Sequence, residues 1–172
     1  MLLEKLKAVK AFAFDVDGVL TNGTVMVTEE GHQLRTFNIK DGYAIQLAIK
    51  KGYPMIVLTG GKSQGVQRRM EGLGVKAVHL GVQDKLSVFN RWLENLGITA
   101  KEVLYMGDDI PDLAIMQRVG MPVCPADAVE EIKAIAAYIS PKKGGDGAVR
   151  DVLEKVLKLQ QVWDNDTSVR SG

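Results

Sequence analysis

Asp15 and Asp17 stand two residues apart, directly after Ala11-Phe12-Ala13-Phe14, and Gly18 follows them. At the end of a strand, residues i and i+2 point the same way, so both carboxylates can face one substrate atom. A carboxylate so placed can attack phosphorus and carry it as an aspartyl-phosphate. Its neighbour can protonate the leaving alkoxide and later take a proton from the attacking water. On this reading Asp15 is the nucleophile and Asp17 the general acid/base. Two further apolar runs end in the same manner: Met55-Ile56-Val57-Leu58 in Thr59-Gly60, and Val103-Leu104-Tyr105-Met106 in Gly107-Asp108-Asp109. The Thr59 hydroxyl and backbone N–H groups near Gly60 at a helix start suit a phosphate. Lys85, after Gln83-Asp84, could bring a cation to the nucleophile and to the phosphoryl group in transfer. Asp15, Asp17, Asp108 and Asp109 at one rim would repel one another unless a cation sat among them, so a hard metal with oxygen ligands, such as Mg²⁺, is implied. Taken singly, each feature has a plainer reading. Asp-x-Asp and Thr-Gly are common in turns, a lone lysine is usually solvated, and Gly107-Asp108-Asp109 followed by Asp112 can open a helix. Their order, each group at the end of an apolar run, is what points to chemistry.

The elements that would position these groups alternate along the chain. The first apolar run, from Val9 to Phe14, reads as a buried strand. Thr24–Thr28 and Gln33–Ile39 flank Glu29-Glu30-Gly31-His32, a pattern that predicts a projecting hairpin over about residues 24–39. A helix is expected from Tyr43 to Lys51, closed by Gly52. The strand Met55–Leu58, a helix from Ser63 to Leu73 and a strand Ala77–Leu80 follow. Residues 84–96 carry Leu86, Phe89, Leu93 and Leu96 on one stripe, and Val103–Met106 is again a buried run. Pro111 opens a helix expected to end near Val119. Met121–Cys124, a helix around Val129–Ala136, Tyr138-Ile139 and a helix from Gly147 to Trp163 complete the series. This alternation predicts an α/β fold, doubly wound, with a mostly parallel sheet, a projecting hairpin and no cap domain. Residues 1–163 are expected to form one domain, and residues 164–172 an untethered, disordered tail. In such sheets ligands bind beyond the carboxyl ends of the strands, where the acids and the Thr-Gly pair lie.

Composition excludes other classes. The chain has 172 residues, 46% apolar and 25% charged, with a formal net charge of +1. That is an ordinary globular domain, with no net basic face to release phosphate counterions from nucleic acid or to hold a membrane surface. The single cysteine, Cys124, lies in an apolar run, has no partner to bridge, and reads as core packing in a reducing, cytoplasmic setting. Met1–Lys7 mixes charge into its apolar residues and lacks a signal peptide's apolar core, and no window approaches the ~20 apolar residues of a membrane span. Expected partners are therefore small molecules or proteins, not nucleic acid or membrane.

Asp15-Val16-Asp17-Gly18-Val19-Leu20-Thr21, Leu58-Thr59-Gly60, Lys85 and Gly107-Asp108-Asp109-Ile110-Pro111-Asp112 resemble, in that order, the four motifs of the haloacid dehalogenase superfamily of phosphotransferases. The resemblance spans residues 9 to about 155. It implies a Rossmann-like core with Asp15 as nucleophile, Asp17 as acid/base, and Thr59 and Lys85 as phosphate ligands. It also implies Mg²⁺ held by the Asp15 carboxylate, the Asp17 backbone carbonyl and Asp108, with Asp109 and Asp112 supporting the metal site and Lys85. Asn38-Ile39-Lys40-Asp41-Gly42 and Gly144-Gly145-Asp146-Gly147-Ala148-Val149-Arg150 resemble the capless 3-deoxy-D-manno-octulosonate 8-phosphate phosphatases. That finer resemblance implies hydrolysis of a phosphomonoester of a 2-keto-3-deoxy sugar acid in lipopolysaccharide precursor synthesis. It also implies a homotetramer joined through its hairpins, with sites shared between subunits, and a glycine-rich carboxy-terminal segment that reaches a neighbour's site. Asp17, Asn38, Ile39, Lys40, Asp41, Gly42, Gly60, Arg69 and Lys85 become substrate contacts on this basis, Arg69 having a plain helix surface as its other reading. Several members of the family carry Arg after the Thr-Gly pair, whereas this chain has Gly61. Relatives acting on nine-carbon acids tend to have Glu there, so Gly61 favours the eight-carbon substrate over the nine-carbon 9-phosphate. A non-catalytic assembly module, of the kind fused to sugar-nucleotide synthetases, is a third reading, opposed by the complete set of carboxylates.

Overall fold

A computed structural model describes residues 1–170 and 172. Six strands form one parallel sheet: β1 (Ala11–Phe14), β4 (Met55–Leu58), β5 (Ala77–His79), β6 (Val103–Met106), β7 (Met121–Cys124) and β8 (Tyr138–Ile139), in the order β5-β4-β1-β6-β7-β8. Every residue of β1, β4, β6 and β7 is buried, which is why these strands read as unbroken apolar runs. Two strands form the separate antiparallel hairpin, β2 (Met26–Val27) and β3 (Gln33–Leu34). The helices are α1 (Leu2–Lys7), α2 (Ile39–Lys50), α3 (Gln64–Gly72), α4 (Lys85–Leu96), α5 (Leu113–Met116), α6 (Glu130–Ile135) and α7 (Ala148–Leu159).

The sheet divides two apolar layers. Phe12 and Phe14 of β1 face α1, α2, α3 and α7, packing with Ala44, Leu47, Met70, Val152 and Val156. Ala11 and Ala13 face the other way, where α4, α5 and α6 supply Phe89, Trp92, Ile115 and Ile132. The alanines leave room on that face for Tyr105 of β6, the largest fully buried side chain. Because β1 lies between β4 and β6, the chain leaves it in both directions, and the carboxyl ends of these three strands meet at the switch point. The doubly wound architecture is the one read from the sequence, and no cap is evident among the described residues. No helix among them is long and apolar enough to cross a membrane.

Several local expectations differ from what forms. The hairpin strands are two residues each, and Ile39 belongs to α2 instead of β3. The Asn38 side chain accepts from the N–H groups of Lys40 and Asp41, and this cap starts α2 four residues before the expected Tyr43. Behind Pro111 the chain makes a 3-10 turn, Ile110–Asp112, so α5 is short and stops at Met116. Helix α7 ends at Leu159, short of Trp163. The tail is a correction: residues 164–170 are tethered against α2. The Tyr43 hydroxyl donates to the Asp166 carbonyl at 3.0 Å, Lys50 pairs with Asp166, and Lys51 meets Asp164 at 2.5 Å. Val169 packs on the core beside α2. Lys50 and Lys51, at the end of α2, are each paired by an acid of the tail. Ser171 lies outside the described residues.

Candidate active site

The ends of β1, β4 and β6 bring their acids and the Thr-Gly pair to one cleft. Asp15 follows β1, its N–H donating to the Met106 carbonyl of β6 at 3.1 Å. Thr59 follows β4 and is held by an N–H bond to the His79 carbonyl of β5 at 3.0 Å. The Asp84 side chain caps α4 by accepting from Ser87 N–H at 3.1 Å, which fixes Lys85 at the first helical position. Together Asp15, Asp17, Thr59, Gly60, Gly61, Lys85, Asp108 and Asp109 line a cleft of about 500 Å³ with Gly23, Val82, Gln83 and Pro111.

Charge is dense here. Lys85 Nζ lies 2.9 Å from Asp15 Oδ1 and 2.8 Å from Asp112 Oδ1. Asp112 is fully buried, accepts from the Tyr105 hydroxyl at 2.6 Å, and takes the Asp108 N–H on Oδ2 at 3.1 Å. Gly18 packs directly against Asp108. Its φ of +85° is open to glycine, and a Cβ there would fall 1.8 Å from Asp108 Oδ2. Burial, then the neighbouring Asp112 charge, pushes Asp15 up to about 6 despite Lys85 beside it. Burial, with Asp15 and Asp112, pushes Asp108 up to about 8. For Lys85, burial works against the charged form, but Asp15 and Asp112 hold its pKa above the usual value.

This donor set fits a divalent cation. Asp15, Asp108 and Asp112 each offer an oxygen, all within 4.8 Å of one another, and Asp108 Oδ1 is buried with no protein partner. A buried lone pair without a donor, among crowded acids, is what an oxygen-binding cation satisfies. Asp112, though inside that radius, is already engaged by Lys85, Tyr105 and the Asp108 amide, an arrangement suited to supporting the site. Asp109 is exposed and accepts the Ile110 N–H at 2.7 Å, opening the 3-10 turn. A pH dependence follows. Because the folded pKa values of Asp15 and Asp108 lie above the ordinary 3.8, the metal-free native state binds more protons than the unfolded chain. Its stability therefore falls as pH rises from about 4 through about 8. Mg²⁺ should raise Tm more at pH 8 than at pH 5, as thermal melts in chelator and in excess Mg²⁺ will register. Equal increments at the two pH values would exclude cation binding at this cluster.

The other expected substrate contacts lie elsewhere in the chain. Asn38 and Lys40 line a separate groove of about 680 Å³ with Lys142, Asp146 and Arg150, and Ile39 is exposed. Asp41 is buried, accepts from the Arg150 N–H at 2.9 Å, and is pushed up to about 6 by burial. Arg69 sits under Leu20, Phe37 and Asp41 beside Gly42, with Nε and Nη2 buried and without a protein partner. None of residues 38–42 or 69 lines the aspartate cleft, because the start of α2 is drawn onto α7. Gly144 and Gly145 pack on the first loop of their own chain, the Gly145 N–H donating to the Val19 carbonyl at 3.1 Å. Sequence reasoning missed Tyr105, which reads only as core, and Arg35, whose partner is 18 residues away. Cys124 is buried, and burial pushes its thiol up to about 11, in keeping with a packing role.

Comparison with known proteins agrees with this geometry. Residues 78–153 match the model of the haloacid dehalogenase-like hydrolases. The chain is 35% identical over 163 residues to the 3-deoxy-D-manno-octulosonate 8-phosphate phosphatase KdsC of Escherichia coli, covering 95% of this chain and 87% of that one. It superposes with a TM-score of 0.90 at 36% identity, over 93% of this chain and 92% of the other, on the Moraxella catarrhalis 3-deoxy-D-manno-octulosonate 8-phosphate phosphatase crystallised with magnesium ion, phosphate ion and KDO. The cobalt-bound Haemophilus influenzae phosphatase YrbI gives a TM-score of 0.89 at 31% identity, over 95% of this chain and 96% of that one.

Proposed function

The chain belongs to the haloacid dehalogenase-like hydrolases, and on that premise we propose that it hydrolyses 3-deoxy-D-manno-octulosonate 8-phosphate to KDO and phosphate with Mg²⁺, a step of lipopolysaccharide precursor synthesis in the cytoplasm. The observation that carries this reading is the buried Asp15–Lys85–Asp112 array beside Asp108 and Thr59, at the meeting of three strand ends. Residues 1–163 are the catalytic unit.

In the first half-reaction an Asp15 oxygen attacks phosphorus, the P–O bond to the sugar breaks, and Asp17 gives its proton to the leaving alkoxide. In the second, water attacks the phosphoaspartate, Asp17 takes its proton, and the bond between phosphorus and Asp15 breaks to release phosphate. Lys85, 2.9 Å from Asp15 Oδ1, keeps the nucleophile ionised and meets the charge of the phosphoryl oxygens. Thr59 Oγ1 accepts from the Gly61 N–H at 3.0 Å, which leaves its own proton for a phosphate oxygen, and the Gly60 backbone lies beside it in the cleft. Asp15, the Asp17 carbonyl and Asp108 would hold Mg²⁺, which would supply charge neutralisation for the phosphoryl oxygens. Phosphate release from a panel of sugar phosphates with Mg²⁺ tests the substrate. The eight-carbon acid phosphate should give the highest kcat/KM. A preference for the nine-carbon 9-phosphate would reassign the substrate, and no turnover of any sugar acid phosphate by the folded protein would favour the assembly module.

The reading extends to assembly. A phosphoaspartate needs a site that controls water, and this fold has no cap among its described residues to do so. The two-stranded hairpin exposes Val25, Met26, Val27 and Leu34, and such a ribbon with an apolar surface is not stable alone in water. Hairpins of a homotetramer would cover one another and bring Asn38–Gly42 and Arg69 of one subunit near the cleft of the next. Replacing Met26 and Val27 by Asp should therefore dissociate the oligomer and lower kcat/KM together, as light scattering and phosphate release will report. A parent protein that is an 18.8 kDa monomer at full activity would contradict shared sites.

A further inference from the structure

The hairpin reaches the cleft through one side chain. Arg35, one residue beyond β3, lays its guanidinium along the Asp17 carboxylate, Nε donating to Oδ1 at 2.7 Å and Nη2 to Oδ2 at 3.3 Å. A third donor, Nη1, bonds the Gln33 carbonyl at 3.4 Å, so the fork is anchored to its own strand. The Arg35 side chain is only 6% exposed, against 35% for Asp17, although it comes from the most exposed element of the fold. Among the described residues no other group donates to the Asp17 carboxylate. Gly61 lies close against the pair. A Cβ there would stand 3.2 Å from Arg35 Nη2, 3.4 Å from Thr59 Oγ1 and 3.6 Å from Asp17 Oδ2. The loop after β1, the loop after β4 and the hairpin thus converge on the orientation of one carboxylate.

Two parallel bonds between planar groups fix direction as well as distance, which a single point charge does not. We infer that Arg35 is the positioning residue for Asp17, holding its carboxyl group toward the oxygen that leaves phosphorus. The inference rests on the proposed function, in which Asp17 is the acid. When the P–O bond breaks and the proton moves from Asp17 to the alkoxide, the carboxylate left behind is received by a fork already in place, without reorganisation. Proton transfer is thereby tied to a docked hairpin, and a hairpin displaced from the core would leave the acid unaimed.

The test separates proton delivery from binding. In the bridging phosphorothiolate analogue of the sugar acid phosphate the leaving atom is sulfur, which departs as a thiolate without needing a proton, while every recognition group is kept. Asp17→Asn should lose about 10²-fold or more in kcat/KM on the oxygen ester and far less on the sulfur ester. Arg35→Met should show the same asymmetry, with about tenfold greater loss on the oxygen ester, and Arg35→Lys should recover part of it. Equal losses of Arg35→Met on the two esters, or no loss, would overturn the inference. Should Arg35→Met fail to fold, Arg35→Gln, which keeps a polar side chain but loses the charged fork, must reproduce the asymmetry or the inference falls. Failure of the underlying reading looks different: the parent protein would hydrolyse neither ester, or Asp17→Asn would not distinguish them.

Discussion

Asp15→Asn abolishes turnover, by about 10³-fold or more, and leaves the fold intact. The first effect follows from the loss of an ionised oxygen that nothing else in the cleft can replace, since Asp112 is held by Lys85 and Tyr105, and Asp108 would be taken up by the cation the cluster can hold. The second has a sign that an ordinary core substitution does not. In the metal-free protein Asp15 is held at about 6, so above that pH its charge is carried by the native state against its own preference. Asparagine removes that charge and relieves Asp108, whose pKa Asp15 helps to raise. The variant should therefore melt at or above the parent temperature in chelator at pH 8 and lose this advantage at pH 5. Phosphate release together with melts at the two pH values checks both halves. Near-parental turnover would refute the nucleophile assignment, and a large fall in Tm at pH 8 would refute the account of repulsion.

The strands that carry the site were legible because they are buried on both faces. Ala11–Phe14, Met55–Leu58 and Val103–Met106 are uninterrupted apolar runs, and polar residues could follow them only where the sheet ends. The acids after β1 and β6 and the Thr-Gly pair after β4 were legible for the same reason, whereas Lys85, at the start of α4, was legible only through its place in the order of motifs. What depended on non-local contact was not. The tail is held by Lys50 and Lys51, more than 110 residues earlier in the chain, and nothing in its own polar composition signals a partner. The helix start at Asn38 was hidden by the apolar Phe37 and Ile39, which continue the hairpin pattern, although Asn is by itself a favoured helix cap. Arg35 is a single cation just beyond a short strand until the fold sets it beside Asp17. The groups around Asn38–Gly42 and Arg69 came from resemblance alone, and within one chain α7 and the first loop claim their surroundings.

Lys85→Met should cost both stability and activity, and the balance between them should depend on pH. Lys85 is a buried cation between two buried carboxylates, and removing one partner of such a group typically costs about 3–5 kcal/mol, because uncompensated charge stays behind. Asp15 can escape that cost by taking up a proton. Lys85 now works to lower its pKa, so without Lys85 the value moves upward from about 6. A carboxyl whose folded pKa exceeds its unfolded value stabilises the native state at low pH and loses that contribution as pH rises. The deficit should therefore be small at pH 5 and approach about 3 kcal/mol at pH 8, a fall in Tm of about 6–12 °C for a domain of this size. Excess Mg²⁺ should recover much of the stability at pH 8, since a second cation offsets the same acids, yet turnover should stay about 10²-fold down because the group that meets the phosphoryl oxygens is gone. Adding Asp112→Asn, which removes the most deeply buried of the acids, should restore Tm without restoring activity. Equal Tm losses at pH 5 and pH 8, or a double variant less stable than Lys85→Met, would mean that Lys85 acts through packing and not through the charges it offsets.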